Sequence, residues 1–266
     1  MAFQFAHEVP AEPQDNEDLQ RVVRAQRKRY SWKMPLINFG CIVGILFCLV
    51  ALLLPATRTP RTASQRSQCR NSLKQIGLAL INYADDFGQF PPAYTVDSSG
   101  NRLHSWRTLI LPYLDQQTLY NSIDLSKPWN DPVNQVAATT RLPFYECPTT
   151  KLTDGRTPYL ACVGPELAFL PETCRKVGDF TDGRSNTVLV MEVNRELAVH
   201  WMAPVDLDMA TAISLPEIQS QSHKGGFHVL LADDAVQHLP KEIDRAALKA
   251  LLTVNGADNG VCSAGP

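Results

Sequence analysis

The sequence lacks the patterns that announce the common catalytic folds. It has no Gly-x-Gly-x-x-Gly fingerprint, no phosphate-cradling Gly-Lys-Ser/Thr loop and no His-Glu-x-x-His helix. Dinucleotide chemistry, nucleotide hydrolysis of the P-loop kind and zincin proteolysis therefore find no support in it. None of the seven cysteines forms a Cys-x-x-Cys pair, which argues against a structural zinc site. An excess of positive charge is missing too: net charge is −2, so no overall basic field points to nucleic acid. No internal repeat is visible. What is present in quantity is apolar residue, 44% of a 266-residue chain, enough for one domain with a real core.

Charge is also absent locally. Residues 36–54 (LINFGCIVGILFCLVALLL) form nineteen positions without a charge, with Asn38 the only strongly polar one. As a helix this run covers roughly 28 Å, close to the hydrocarbon thickness of a bilayer. It starts too late and runs too long for a cleaved signal peptide. The pattern predicts a transmembrane helix over 34–56, with the bilayer as a partner through residues 36–54. The preceding residues 1–33 read as a disordered cytoplasmic tail, acidic and without apolar period over 1–20 and basic from Arg21 to Lys33. The basic part suits anionic headgroups. Basic residues flank both ends of the run, with a small excess before it, which favours an inside N-terminus. The expected location is the cell membrane, single-pass, with the C-terminal domain on the non-cytoplasmic side.

Residues 57–258 carry the folded domain, and 259–266 read as a flexible tail. Thr59-Pro60 is a helix start, and Cys69, Leu73, Ile76, Leu80, Tyr83 and Phe87 then recur at spacings of four, three, four, three and four. Gly88 and Pro91-Pro92 end that amphipathic helix. Ser105 to Tyr120 reads as a helix capped by Ser105 and disturbed by Pro112. Thr187–Val193, Val199–Met202 and Phe227–Ala232 have the β-branched content and turn flanks of strands, the last with Phe227, Val229 and Leu231 on one face. A final helix spans about Asp244 to Leu252. The class is α+β: one transmembrane helix continuing into a long spine helix, packed on an antiparallel sheet with inserted short helices.

Candidate site residues are few. Cys41 and Cys48 lie in the apolar run, leaving Cys69, Cys147, Cys162, Cys174 and Cys262 for the domain. In an exported domain some of these pair. Sequence cannot choose among the connectivities, and Cys162 with Cys174 is one candidate because the two are near in the chain. His223, Asp233 and Asp234 have the donor types of a metal site. His223 and His228 are five residues apart, however, and on one strand project to opposite faces. Ser185 lies in Asp182-Gly-Arg-Ser-Asn-Thr without a strand-to-helix nucleophile turn or an identifiable relay, so a fixed strand entry is the better reading. Glu192 stands inside an apolar run, either facing water at an edge or buried against an arginine such as Arg107. Trp106, Trp129 and Trp201 read as core or loop anchors, with sugar stacking the rarer alternative.

Several segments together resemble a large bacterial family of prepilin-like proteins whose C-terminal region is a domain of unknown function, DUF1559. They are Ala51-Leu-Leu-Leu-Pro-Ala, Ser67-Gln-Cys-Arg-Asn-Ser-Leu-Lys-Gln-Ile-Gly-Leu-Ala-Leu, Phe90-Pro-Pro-Ala, Ser105-Trp-Arg, Leu111-Pro-Tyr-Leu, Leu119-Tyr, Pro128-Trp-Asn and Cys147-Pro. Thr181-Asp-Gly-Arg-Ser-Asn-Thr, Glu192, Trp201 with Pro204 and Asp206, Gly225-Gly-Phe, Ile243-Asp and Leu251-Leu-Thr-Val-Asn-Gly complete the order. Two features depart from the family. The residues before the apolar run lack the Gly-Phe junction and the glutamate that prepilin peptidase and pilus assembly read, which implies a retained N-terminus. In the His-x9-Asp-Gly element, His223 and Asp233 are kept but Asp234 replaces the glycine. The resemblance implies a pilin- or pseudopilin-like envelope protein with a structural or protein-interaction role and self-association or envelope proteins as partners; the residues show no convincing active constellation, so no cofactor and no enzymatic activity are expected. A binding module for a divalent cation or carbohydrate is the alternative, and a hydrolase comes third.

Overall fold

A computed structural model describes residues 20–21, 23–25, 27, 39–49, 60–150, 152, 154–218 and 225–255. Of the expected N-terminal tail, residues 20–21, 23–25 and 27 are described and are helical; the rest of it, residues 36–38 and 50–54 of the apolar run, His223, Cys262 and the expected C-terminal tail lie outside the described residues. The chain divides into two compact units, Met1–Pro60 and Arg61–Pro266.

In the first unit, residues 39–49 are helical. Among the described residues no helix is long and apolar enough to cross a membrane. The expected transmembrane helix running on into a long spine is thereby corrected. The long helix that the structure describes is amphipathic instead. That helix, α1 (Pro60–Phe87), belongs to the second unit and carries Arg66, Arg70, Lys74, Asp85 and Asp86 among its residues, which no bilayer core would accept.

The second unit is α+β, with antiparallel pairing throughout its sheets. Chain order gives β1 (Tyr94–Val96), β2 (Arg102–Ser105), β3 (Arg156–Thr157), β4 (Tyr159–Ala161), β5 (Val188–Glu192), β6 (Val199–His200), β7 (Gly226–Leu231) and β8 (Val236–Pro240). Helices α2 (Met209–Ile218) and α3 (Arg245–Leu252) complete the main elements, α3 being capped by Asp244, whose carboxylate accepts from the Ala246 and Ala247 amides. The central sheet has the order β4-β5-β7-β8, and two two-stranded ribbons, β1-β2 and β3-β6, lie outside it.

Alternation along the strands divides the core in two. Tyr159, Ala161, Leu189, Val190 and Leu230 join Cys69, Leu73, Ile76 and Leu80 of α1 on one face. Leu160, Val188, Met191, Val193, Phe227, Val229 and Leu231 join Ala212 and Leu215 of α2 and Leu248 and Leu252 of α3 on the other. Adjacent Leu189 and Val190 share a face because the β5-β7 register shifts between Val188 and Val190, the mark of a bulge. The α1 stripe read from the sequence is buried from Cys69 to Leu80, while Phe87 at its end is 57% exposed.

Ser105 to Tyr120 is not one helix. Ser105 caps a single turn (Trp106–Leu109), Pro112 opens a 3-10 turn (Leu111–Leu114), and a third turn follows at Gln117–Asn121. Asp115, at φ 58°, breaks the run between the last two.

Candidate functional site

The α1-facing side of the sheet carries one polar row through the core. Tyr159 of β4 pairs with Glu192 of β5, and His228 of β7 pairs with His238 of β8. Met191 pairs with Val229, so the next step along the ladder sets Glu192 beside His228. Four strands therefore contribute Tyr159, Glu192, His228 and His238 in sequence across the sheet. Glu192 has no exposure, and His228 only 6%. The His228 ring is 2.8 Å from Glu192 Oε2 through Nδ1, and its backbone amide donates to the same oxygen. His238 meets the His228 ring edge-on at 5.2 Å.

Above this row sits a disulfide joining Cys69 of α1 to Cys147, with Cα atoms 5.0 Å apart. Both cysteines are buried. Cys147 Sγ lies 3.2 Å from Glu192 Oε1, and the Tyr159 hydroxyl donates to the Cys69 carbonyl. Burial pushes the Tyr159 phenol well above its ordinary range, with Glu192 adding to the effect. The Cys162–Cys174 pairing is thus corrected: both are free thiols. Cys162 follows β4 and points into the second core, where burial raises its pKa, with Asp206 adding to the shift; Cys174 is only partly buried in a loop. Nearness in sequence does not bring side chains on such different elements together.

A second buried node lies among the segments around Ser105 and Asp206. Arg107 Nη2 is 2.5 Å from Asp206 Oδ1, with both side chains essentially inaccessible. The Trp106 indole and the Ala161 amide donate to the same oxygen. Arg107 also donates to the Ser105 hydroxyl and the Tyr159 carbonyl. Burial pushes the Asp206 carboxyl up, while Arg107 and the Ala161 and Trp106 donors pull against it. The arginine is therefore the partner of Asp206, and Glu192 takes a histidine instead. Trp106 and Trp201 are core residues. Trp129 stacks on His200 at 4.7 Å.

The other sequence candidates do not converge. Asp233 accepts from the Ala235 amide within the β7-β8 turn. Asp234, at φ 71°, turns to α1, where Lys74 Nζ donates to its carboxylate at 2.7 Å. His223 lies outside the described residues. Ser185 is exposed in a 3-10 turn, and the Asn186 amide donates to the Asp182 carbonyl, fixing entry to β5. Among the described residues, one group has the spacing of a metal site: Cys69, Cys147 and Glu192, whose ligand atoms lie within 4.8 Å of one another. Sequence reasoning named Glu192 and both cysteines without joining them. The signal that was available is Cys69 heading the apolar stripe of α1, which aims its sulfur into the core.

An open groove of about 950 Å³ runs beside α1, lined by Gln68, Asn71, Gln75, Tyr113 and Phe144, and Cys147 forms part of its wall.

A family described as a protein of unknown function (DUF1559) matches residues 58–168, which hold α1, Cys147 and the Ser105-Trp-Arg segment. No curated protein and no solved structure matches the chain.

Proposed function

We propose that this chain is a pilin-like component of the bacterial cell envelope, with its folded domain on the non-cytoplasmic side, acting by contact with other proteins rather than by catalysis. The observation that carries the reading is the Cys69–Cys147 disulfide, which ties α1 to a segment 78 residues away inside the core. Such bonds form and persist in oxidising compartments and are rare where thioredoxin and glutathione keep thiols reduced. The match of residues 58–168 to DUF1559 adds support, since that is the region the prepilin-like resemblance also covers. The carboxylates of the two nodes are occupied by partners within the domain, as expected of a scaffold.

The test is topological. In spheroplasts of an expressing bacterium, added protease should degrade the domain while a cytoplasmic marker survives. A thiol-reactive polymer added to the denatured protein should shift it by two further labels only after reduction. A domain protected until the cells are lysed, with every cysteine already reactive, would overturn the proposal.

A further inference from the structure

The disulfide, the groove and the polar row meet at one point, and together they describe more than a staple. Cys69, Cys147 and Glu192 present two sulfurs and a carboxylate oxygen within 4.8 Å of one another, all buried. His228 holds the second oxygen of the same carboxylate through Nδ1 at 2.8 Å. That is the arrangement of a metal site with its supporting shell: soft donors, one hard donor, and a histidine that orients the carboxylate. The sulfur–sulfur bond blocks its use.

We infer that reduction of Cys69–Cys147 turns this cluster into a binding site for a thiophilic divalent cation of the zinc class, with Cys69, Cys147 and Glu192 as ligands and His228 as the residue that positions the carboxylate. A phosphine gives two electrons to the S–S bond and becomes the phosphine oxide, taking its oxygen from a water whose two protons go to the freed sulfurs to give two thiols; a dithiol instead gives both electrons and both protons and becomes its own disulfide. The cation then displaces those two protons and binds both thiolates and Glu192 Oε1. Tetrahedral zinc with sulfur bonds of about 2.3 Å needs sulfurs roughly 3.8 Å apart, a separation that side-chain rotation at the two cysteines supplies. Two thiolates and a carboxylate bring three negative charges, two of which a dication offsets in a place that could not hold them unpaired. Three protein ligands leave the fourth position open, and Cys147 faces the groove beside α1, so reductant, cation and an outer ligand share one entrance. Thiolate donors favour zinc-class ions over calcium and magnesium.

The experiment uses the full-length chain, reduced with a phosphine, freed of reductant without air, and titrated with Co²⁺ as the spectroscopic stand-in for zinc. One equivalent of Co²⁺ per chain should produce a thiolate-to-metal charge-transfer band and the visible bands of a tetrahedral ion. Zn²⁺ should bleach them. The oxidised chain should show neither. Cys147→Ser should abolish the charge-transfer band, Glu192→Gln and His228→Ala should each weaken binding by tenfold or more, and Cys174→Ser should leave it unchanged. Should the reduced chain lose its fold, the reading becomes recovery: Zn²⁺ must restore near-ultraviolet circular dichroism, and Mg²⁺ must not. The inference is overturned by a folded reduced chain without the charge-transfer band, by a band that survives Cys147→Ser, by equal binding to the oxidised chain, or by an unfolded reduced chain that zinc does not rescue. None of these outcomes bears on the topology test, so the two readings fail separately.

Discussion

Removing the Cys69–Cys147 bond should cost this domain most of a typical stability margin, and the size follows from the chain. The cysteines are 78 residues apart. Closing a loop of that length in the unfolded ensemble costs it an entropy of 2.1 + 1.5R ln n, or about 15 cal/mol/K, which at room temperature amounts to about 4.5 kcal/mol. A native domain has about 5–15 kcal/mol in all. For a domain of roughly 200 residues each kcal/mol moves the melting point by about 2–4 °C, so Cys69→Ala/Cys147→Ala should melt roughly 9–18 °C below the wild type. The assay is urea unfolding of the full chain with a chelator present, oxidised, reduced, and as the double variant. Reduced wild type and double variant should agree to within about 1 kcal/mol, allowing for the small buried side chains lost. The urea slope should rise in both, because the unfolded chain without its cross-link exposes more surface. Two results would refute the reasoning. One is a loss below about 1 kcal/mol. The other is a full loss with an unchanged slope, which would place the stabilisation in native contacts around Glu192.

Gly77→Ala in α1 should destabilise although alanine is the better helix former by about 1 kcal/mol. Its added carbon would stand 2.2 Å from Asp234 Oδ1 and 2.7 Å from Leu230 Cδ1, so a net loss of about 1–3 kcal/mol is expected, and a rise in melting temperature would show that α1 does not lie this close to the β7-β8 hairpin. Arg107→Met leaves Asp206 buried without its cation and the Tyr159, Ala203 and Val205 carbonyls without their donor, and should cost about 3–5 kcal/mol, measured by urea unfolding. Adding Asp206→Asn to it should return part of that loss, whereas simple additivity would sink the ion-pair account. Stability should fall as pH drops through the ordinary histidine range, because burial lowers the pKa of both His104 and His200. Groups with a depressed folded pKa take up more protons in the unfolded chain below about 6.5, the unfolded value, so stability is lost from there downward. His200 accepts from the Met202 amide through Nδ1 while Nε2 faces the Ala138 carbonyl, an arrangement only the neutral ring can make; His200→Gln should flatten the pH dependence of the melting temperature, and an unchanged slope would remove His200 from the explanation.

The parts of the fold that could be read from the chain are those whose determinants are local. The stripe from Cys69 to Leu80 declares α1 by its period, and Thr187–Val193 and Phe227–Ala232 declare β5 and β7 by β-branched and apolar content. Strand β8, Val-Gln-His-Leu-Pro, escaped because it is a largely exposed edge strand with one buried position. Helix α2 escaped because Pro216 interrupts it and its apolar residues show no one-sided stripe. The candidate site was legible as a set of residues and illegible as a place. Glu192 was marked as out of keeping in an apolar strand, yet its partner follows from strand register, which no local pattern encodes. Pairing of the cysteines is likewise set by which face of α1 meets which loop, and distance along the chain misleads: the bond spans 78 residues, while cysteines twelve apart remain free. For the uncharged run at 36–54 composition suggested a span, and among the described residues no helix is long and apolar enough to be one.

The segments that carry the prepilin-like resemblance acquire a physical meaning once placed. Ser105-Trp-Arg and Asp206, a hundred residues apart, form one buried ion pair with its donors. Cys147-Pro, Glu192 and the helix segment containing Cys69 form the other node. Lys74 and Gly77 from that same helix segment receive Asp234, where aspartate stands in place of glycine at φ 71°. An L-residue in that conformation costs something that glycine would not; the ion pair to Lys74, half exposed, offsets it at most by about 1 kcal/mol. The left-handed aspartate is therefore compensated locally, by a contact glycine could not make. These positions therefore hold α1 in two places, by the disulfide to the Cys147 segment and by Lys74 to the β7-β8 turn, while Arg107–Asp206 ties the Ser105 segment to the loop at Asp206. Of these, only the disulfide can be opened and closed by chemistry that leaves the sequence unchanged. A domain held this way can alter its clamp when the surrounding redox state changes, and the buried Glu192–His228 pair beneath the sulfurs decides what the opened clamp can hold.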